Sequence, residues 1–215
     1  MLYDTYRPKC WAELVGQPKA VATARRIIDR DGFDRGAFWI EAAGEHNSGL
    51  GKSSLAHLIA AQLQPNPFFV LEIPGRKLDL RAVDGIEADC RLSTWNGHYR
   101  VWIVDEAHAI TQGAVDALLP LLEALPARTC LIFTTTRTVD AGLFGDDCGP
   151  FASRTHRIKL TNQGIAEPMA ARLQEIALAE NLDGKPHSAY LRLVRENNNN
   201  MRACLQRIEA GDMLA

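Results

Sequence analysis

The sequence predicts an α/β protein: a parallel five-stranded sheet flanked by helices, followed by a small all-α domain. Three observations predict it. Short apolar runs alternate with amphipathic stretches, a glycine-rich loop lies between one such run and a helical pattern, and strand-like runs stop after about Leu160.

The apolar runs cover residues 37–43, 68–73, 101–104 and 130–134, and Leu55, Leu58, Ile59 and Leu63 recur at helical spacing between the first two. Val101, Trp102, Ile103 and Val104 are apolar without alternation, as expected of a central strand covered on both faces by helices. Beyond Leu160 three helical segments follow, at about 166–180, 188–196 and 201–210. Pro168 fits the first turn of the first of them, where a missing N–H costs little. The polar run 197–200 ends one helix and caps the next. The expected organisation is therefore a sheet domain over 1–160 and a helical domain over 161–215.

Composition sets the limits. At 215 residues and 47% hydrophobic, the chain can bury one good core and a small second one, not two large domains. Lys and Arg number 24 against 26 Asp and Glu, and this balance excludes a body that coats nucleic acid indiscriminately. Residues 1–9 are polar, and nowhere do about 18 apolar residues run together, so a soluble, cytoplasmic protein with no membrane contact is expected. The five cysteines are scattered without a C-x-x-C pair, which signals neither a zinc module nor a disulfide framework.

Two segments carry chemistry. The first contains Asn47, Ser48, Gly49, Leu50, Gly51, Lys52, Ser53 and Ser54, and it follows an expected strand and opens an expected helix. A P-loop belongs there: glycines let backbone N–H groups surround phosphate oxygens, Lys52 reaches the outer phosphates, and Ser53 holds magnesium. The strict pattern fails at one position, where His46 stands in place of the first glycine. The second segment is the 101–104 strand ending in Asp105 and Glu106. Ligands of such sheets bind at the carboxyl ends of the strands, so both acids face the P-loop. Asp105 would bind the magnesium sphere and Glu106 would orient or deprotonate the attacking water. Two acids after a strand also serve as a helix N-cap, a reading that the upstream P-loop disfavours. The expected ligands are ATP and Mg2+. Residues 105–108 spell DEAH, but a tandem-motor helicase needs two large domains, and His108 is read as a solvated or core-edge histidine rather than a catalytic base.

A series of ordered segments resembles the AAA+ subunits of DNA-polymerase clamp loaders, meaning bacterial tau and gamma chains and small subunits of replication factor C. They are Tyr6-Arg7-Pro8-Lys9 with Leu14-Val15-Gly16-Gln17, the two motifs above, Asp116-Ala117-Leu118-Leu119 with Leu122-Glu123, Leu131-Ile132-Phe133-Thr134-Thr135-Thr136, Phe151-Ala152-Ser153-Arg154-Thr155, and Asn200-Met201-Arg202-Ala203. The resemblance implies roles that spacing does not. Thr136, or failing it Thr135, would sense the γ-phosphate; Arg202 would reach the nucleotide from a helical lid. Arg154 would be an arginine finger acting on a neighbouring subunit's ATP. Val15 and Gly16 would border the adenine, with Arg7 at the nucleotide edge. It also implies an oligomer of like or unlike AAA+ subunits, contact with DNA, and a sliding clamp or polymerase-associated subunit as partner.

Several features depart from the family pattern. Thr155 replaces the cysteine of the Ser-Arg-Cys signature, the stretch from Arg137 to Arg154 is longer and glycine-rich, and the zinc module of tau and gamma is absent. Pro120 falls inside an expected helix, 113–125, at a cost of roughly 3 kcal/mol unless the helix kinks. The sequence given ends at Ala215, soon after the lid, where the family continues into a collar domain. The leading expectation is an ATP-dependent assembly that grips primed or duplex DNA in replication or repair, with Lys77, Arg81 and Arg91 as candidate backbone contacts. A nucleotide-stabilised scaffold with little turnover, and a regulator or motor of a mobile genetic element, are the alternatives.

Overall fold

The computed structural model describes residues 1–42, 48–136, 151 and 153–214. Asn47 and His46, and nearly all of the long stretch between Arg137 and Arg154, lie outside the described residues. Five parallel strands form one sheet: β1 (Arg35–Ala42), β2 (Val70–Pro74), β3 (Arg100–Asp105), β4 (Thr129–Thr135) and β5 (His156–Leu160). Their order is β2-β3-β4-β1-β5, so β4 is the middle strand and β3 an interior one. All seven residues of β4 are buried, which is what a strand roofed by helices on both faces requires. The register sets Val104 beside Phe133 and Phe38 beside Ile132, bringing the carboxyl ends of β1, β3 and β4 side by side.

Alternation along the strands feeds two cores. Phe38, Ile40, Val101, Ile103, Cys130 and Ile132 face the helices α2 (Pro18–Ile28) and α3 (Lys52–Leu63). Trp39, Trp102, Val104, Leu131 and Phe133 face α4 (Leu80–Cys90) and α5 (Gln112–Glu123). The first core continues without a break into the C-terminal helices α6 (Ala166–Ala179), α7 (His187–Glu196) and α8 (Met201–Glu209). The short N-terminal helix α1 (Leu2–Thr5) packs on α8 rather than on the sheet. The chain's first residues therefore bridge from the C-terminal helices back to the sheet.

Local chemistry explains most boundaries. Asn200 caps α8 by accepting from the Ala203 N–H at 3.1 Å, and Asn198 and Asn199 take the left-handed turn that the helix junction needs, with φ of 51° and 60°. Pro168 lies in the first turn of α6. One expectation is corrected. Phe68 is not in a strand: Pro67 starts a 3-10 turn over Pro67–Phe69, Asn66 caps it, and pairing with β3 begins only at Val70. Pro120 lies inside its helix as expected: α5 runs through it, and the Ala124 N–H bonds the Pro120 carbonyl at 3.1 Å. Among the described residues no helix is long and apolar enough to cross a membrane, and no cluster of His, Cys, Asp and Glu is able to hold a metal by itself.

Candidate active site

The N-terminus of α3 opens onto a cleft bounded by the carboxyl ends of the strands, the N-terminal segment and the C-terminal helices. Gly51 is the helix N-cap and holds φ at 99°, a left-handed conformation that favours glycine. That turn brings the first turn of α3, Lys52, Ser53 and Ser54, to the cleft, in the position from which a helix N-terminus binds an anion. Gly49 (φ 73°) lies against α8: a Cβ there would come within 1.9 Å of Asn200 Oδ1, and the Gly49 carbonyl accepts from the Met201 N–H at 3.3 Å. The phosphate-loop backbone is thus bonded directly to the cap of the last helix.

Lys52 is 7% exposed. Burial lowers its ammonium pKa; the nearby Glu106 and Asp105 carboxylates oppose the shift, and Arg202 adds to it. A buried cation between two carboxylates and an arginine gains further stabilisation when an anion enters.

At the end of β3, Asp105 Oδ1 accepts from Ser53 Oγ at 3.1 Å and from Thr134 Oγ1. Glu106, the next residue, has φ 56° and ψ 49°. A non-glycine residue in this region is uncommon, and here it turns the carboxylate out of the strand direction towards the cleft. Its Oε2 lies 3.4 Å from Thr136 Oγ1 and 3.3 Å from His108 Nδ1, and His108 Nδ1 is itself 3.4 Å from Thr136 Oγ1. His108 is half-buried, as a core-edge histidine would be, but it belongs to this polar group. Of the two candidate threonines, Thr136 lines the cleft while Thr135 is fully buried.

Apolar side chains, Leu14, Val15, Ile165, Met169, Ile176 and Leu205, also line the cleft. Arg202 projects from α8 with its guanidinium 5.4 Å from the Tyr3 ring centroid. Arg7 reaches His57 Nε2 of α3 at 3.4 Å, and Tyr6 donates to Glu180 at 2.6 Å, a bond that raises the phenol pKa. Gly16 does not line the cleft; it packs directly beneath Ile165, which does.

Of the sequence-derived candidates, the structure brings Arg7, Val15, Ser48 to Ser54, Asp105, Glu106, Thr136 and Arg202 to this one cleft. Arg154 is elsewhere: it donates through Nε at 2.9 Å and through Nη2 to Glu123 at the end of α5. Lys77, Arg81 and Arg91 are exposed around α4, and Arg91 pairs with Glu87 at 2.7 Å. Sequence reasoning missed Thr134 as a partner of Asp105, and missed Tyr3, Met169 and Arg172 as lining residues. The signal for Thr134 was available, because adjacent parallel strands that both end in polar residues bring those ends together. Nothing local pointed to the others, which arrive through packing of the C-terminal helices.

Magnesium takes hard oxygen ligands and binds through one or two protein groups plus water and phosphate. Ser53 Oγ and Asp105 Oδ1, adjacent at the foot of the cleft and steadied by Thr134, are a donor set of that kind.

Solved structures of RuvB from Thermotoga maritima match 95% of the chain at a TM-score of 0.72 and 20% identity, and the chain covers 64% of that protein. The RuvB Holliday junction branch migration motor of the same organism matches at a TM-score of 0.70. The chain has the RuvB-like AAA+ P-loop fold, with a helical C-terminal part. In sequence it is similar to DNA polymerase III subunit gamma/tau of Mycobacterium tuberculosis and of Mycobacterium bovis, 31% identical over 159 residues, which is 63% of this chain and 27% of each relative. It is also similar to the replication factor C small subunit of Halobacterium salinarum, 28% identical over 187 residues, covering 84% of this chain and 53% of that one. These are the two kinds of subunit whose motifs the sequence resembles. The chain thus spans about a quarter of the length of the first and half of the second. No family model matches it.

Proposed function

We propose that this chain binds and hydrolyses ATP with Mg2+ as one subunit of a DNA-associated AAA+ oligomer of the clamp-loader kind, working in replication or repair. The observation that carries the reading is the convergence of Lys52, Ser53, Asp105, Glu106, Thr136 and Arg202 on one cleft, with Arg154 outside it.

In this reading the first-turn amides of α3 and the Lys52 ammonium hold the β- and γ-phosphates. Ser53 and Asp105 would hold magnesium, which when bound neutralises charge on the phosphate oxygens. The Glu106 carboxylate orients the attacking water and takes its proton. Thr136, within reach of Glu106 Oε2, fixes that carboxylate and meets the γ-phosphate. The apolar lining receives the base. The segment 161–215 acts as a lid, since Arg202 and the Gly49–Met201 bond connect its last helix to the phosphates and their loop. Arg154 supplies its charge to a neighbouring subunit's nucleotide, which makes turnover depend on assembly.

The test is ATP turnover measured alone, with primed DNA, and with primed DNA plus a sliding clamp. Stimulation by DNA is the expected result. A rate indifferent to both additions would sink the DNA-associated part of the reading.

A further inference from the structure

We infer that Glu123 is a positioning residue for Arg154: it holds the guanidinium by one edge so that the arginine is presented, already oriented, to an adjoining subunit's nucleotide. This rests on the reading of Arg154 as acting in trans and adds to it the residue that aims the side chain.

The case is geometric. A guanidinium is a rigid plane with a side edge, Nε and Nη2, and a tip carrying Nη1 and Nη2. Glu123 Oε1 accepts from both nitrogens of the side edge, at 2.9 Å from Nε and also from Nη2, while Nη1 lies 3.3 Å from Ser153 Oγ. Both bonds end on one carboxylate oxygen, which holds the side edge in place, and the Ser153 contact on Nη1 limits rotation about that oxygen.

Both ends of this contact are mounted on the core. Arg154 sits three residues beyond Phe151, which is 3% exposed and packs edge-on against Trp39 and Phe133 at 5.2 and 5.0 Å. The Arg154 N–H and the Thr155 hydroxyl both bond the Phe151 carbonyl, at 3.2 and 3.3 Å. Glu123 is the last residue of α5, whose Leu121 and Leu122 are buried in the same core as Phe151. The carbonyls at that helix end add a partial negative charge beneath the arginine.

The side chain of Arg154 is 27% exposed and that of Glu123 57%. A pair at the surface contributes little to stability. Its two-bond geometry on a rigid mount is therefore better explained by orientation than by stabilisation. Such pre-orientation lowers the ordering that an incoming nucleotide must otherwise impose on a long side chain.

The experiment is complementation between two full-length chains. A donor carries Lys52→Ala and keeps its arginine; an acceptor carries Arg154→Ala and keeps its nucleotide site. Each is inactive alone and the mixture recovers turnover. Glu123→Ala is then added to one chain at a time, with melting curves for every variant, and Glu123→Gln serves as the milder second change. The expected result is a loss of about fivefold in kcat with KM for ATP unchanged when Glu123→Ala is on the donor, and no loss when it is on the acceptor. Glu123→Gln on the donor should fall between. Equal losses on both chains, no loss on the donor, or a gain would overturn the inference while leaving the trans role of Arg154 intact. Failure of the parent mixture to recover any turnover, with the wild-type chain active, would overturn both.

Discussion

Gly75 supplies a test of how finely Glu106 is held. It is buried in the turn after β2, and its backbone lies against the residue that carries the proposed catalytic carboxylate. A Cβ added there would come within 2.4 Å of the Glu106 carbonyl oxygen, 2.9 Å of its carbonyl carbon and 3.2 Å of Ala107 Cα. All three are backbone atoms, with no flexible end to swing away. Ordinary contact begins at 3.4 Å, so the two segments must part by about 1 Å. The Glu106 backbone already occupies the left-handed region, and its carbonyl is tied to the Ala109 N–H at 2.9 Å, so the displacement passes to the carboxylate. A misplacement of ~1 Å at a reacting group costs on the order of 10²-fold in rate. Gly75→Ala should therefore lower kcat by about a hundredfold and destabilise the fold by ~1–3 kcal/mol, while ATP binding is kept because Gly75 does not line the cleft. Gly85→Ala on the exposed face of α4 is the control: an added Cβ there meets nothing within 4 Å, and the change should stabilise by ~0.5–1 kcal/mol without altering kcat. Phosphate release at saturating Mg-ATP, anisotropy of a labelled nucleotide and thermal melting give the three quantities. A Gly75→Ala chain with parental kcat and parental melting temperature would refute the reasoning.

Thr134→Val removes a donor to Asp105, and loss of a hydrogen bond to a charged group is worth ~1.5–3 kcal/mol. The magnesium concentration that half-saturates turnover should rise about tenfold or more, and the melting temperature should fall by several degrees; a parental magnesium profile would contradict this. Alkaline unfolding should also follow the buried thiols. Burial pushes Cys90 up to about 11 and Cys204 to about 12 from an ordinary 9.0, so the unfolded chain loses these protons first. Their contribution is complete below pH 9 and falls as pH rises towards 11 and 12, by up to about 1.4 kcal/mol per pH unit for each thiol, read from denaturant midpoints between pH 8 and 11. Under native conditions at pH 8, exposed Cys10 should be alkylated before Cys90, Cys130 and Cys204, as peptide mass mapping would report.

Much of the architecture was legible in the sequence because its central strands carry apolar runs and its helices repeat apolar residues at helical spacing. The 101–104 run and the three helices after Leu160 fall within a residue or two of β3 and α6 to α8. The fifth strand was expected but had no position, because β5 reads His-Arg-Ile-Lys-Leu, and its charged residues hide a strand whose Arg157 and Lys159 pair with the buried Glu41 of β1. Pro120 falls inside its expected helix, and the tertiary packing of Leu118, Leu121 and Leu122, which propensity does not weigh, offsets the backbone bond it removes. At the site, Lys52, Asp105 and Glu106 were readable from strand ends and loop chemistry. The left-handed turn at Glu106, the bond from Thr134 and the crossing of α1 to α8 are products of the assembled chain, and no local pattern encodes them.

The central claim is that one cleft both holds Mg-ATP and hydrolyses it, with separate residues for each task. The most direct measurement is nucleotide binding and turnover on the same preparations of the wild-type, Glu106→Gln and Lys52→Ala chains. Glu106→Gln should bind Mg-ATP like the wild type and lose turnover, whereas Lys52→Ala should lose binding itself. Undiminished hydrolysis by Glu106→Gln, or parental binding by Lys52→Ala, would contradict the account.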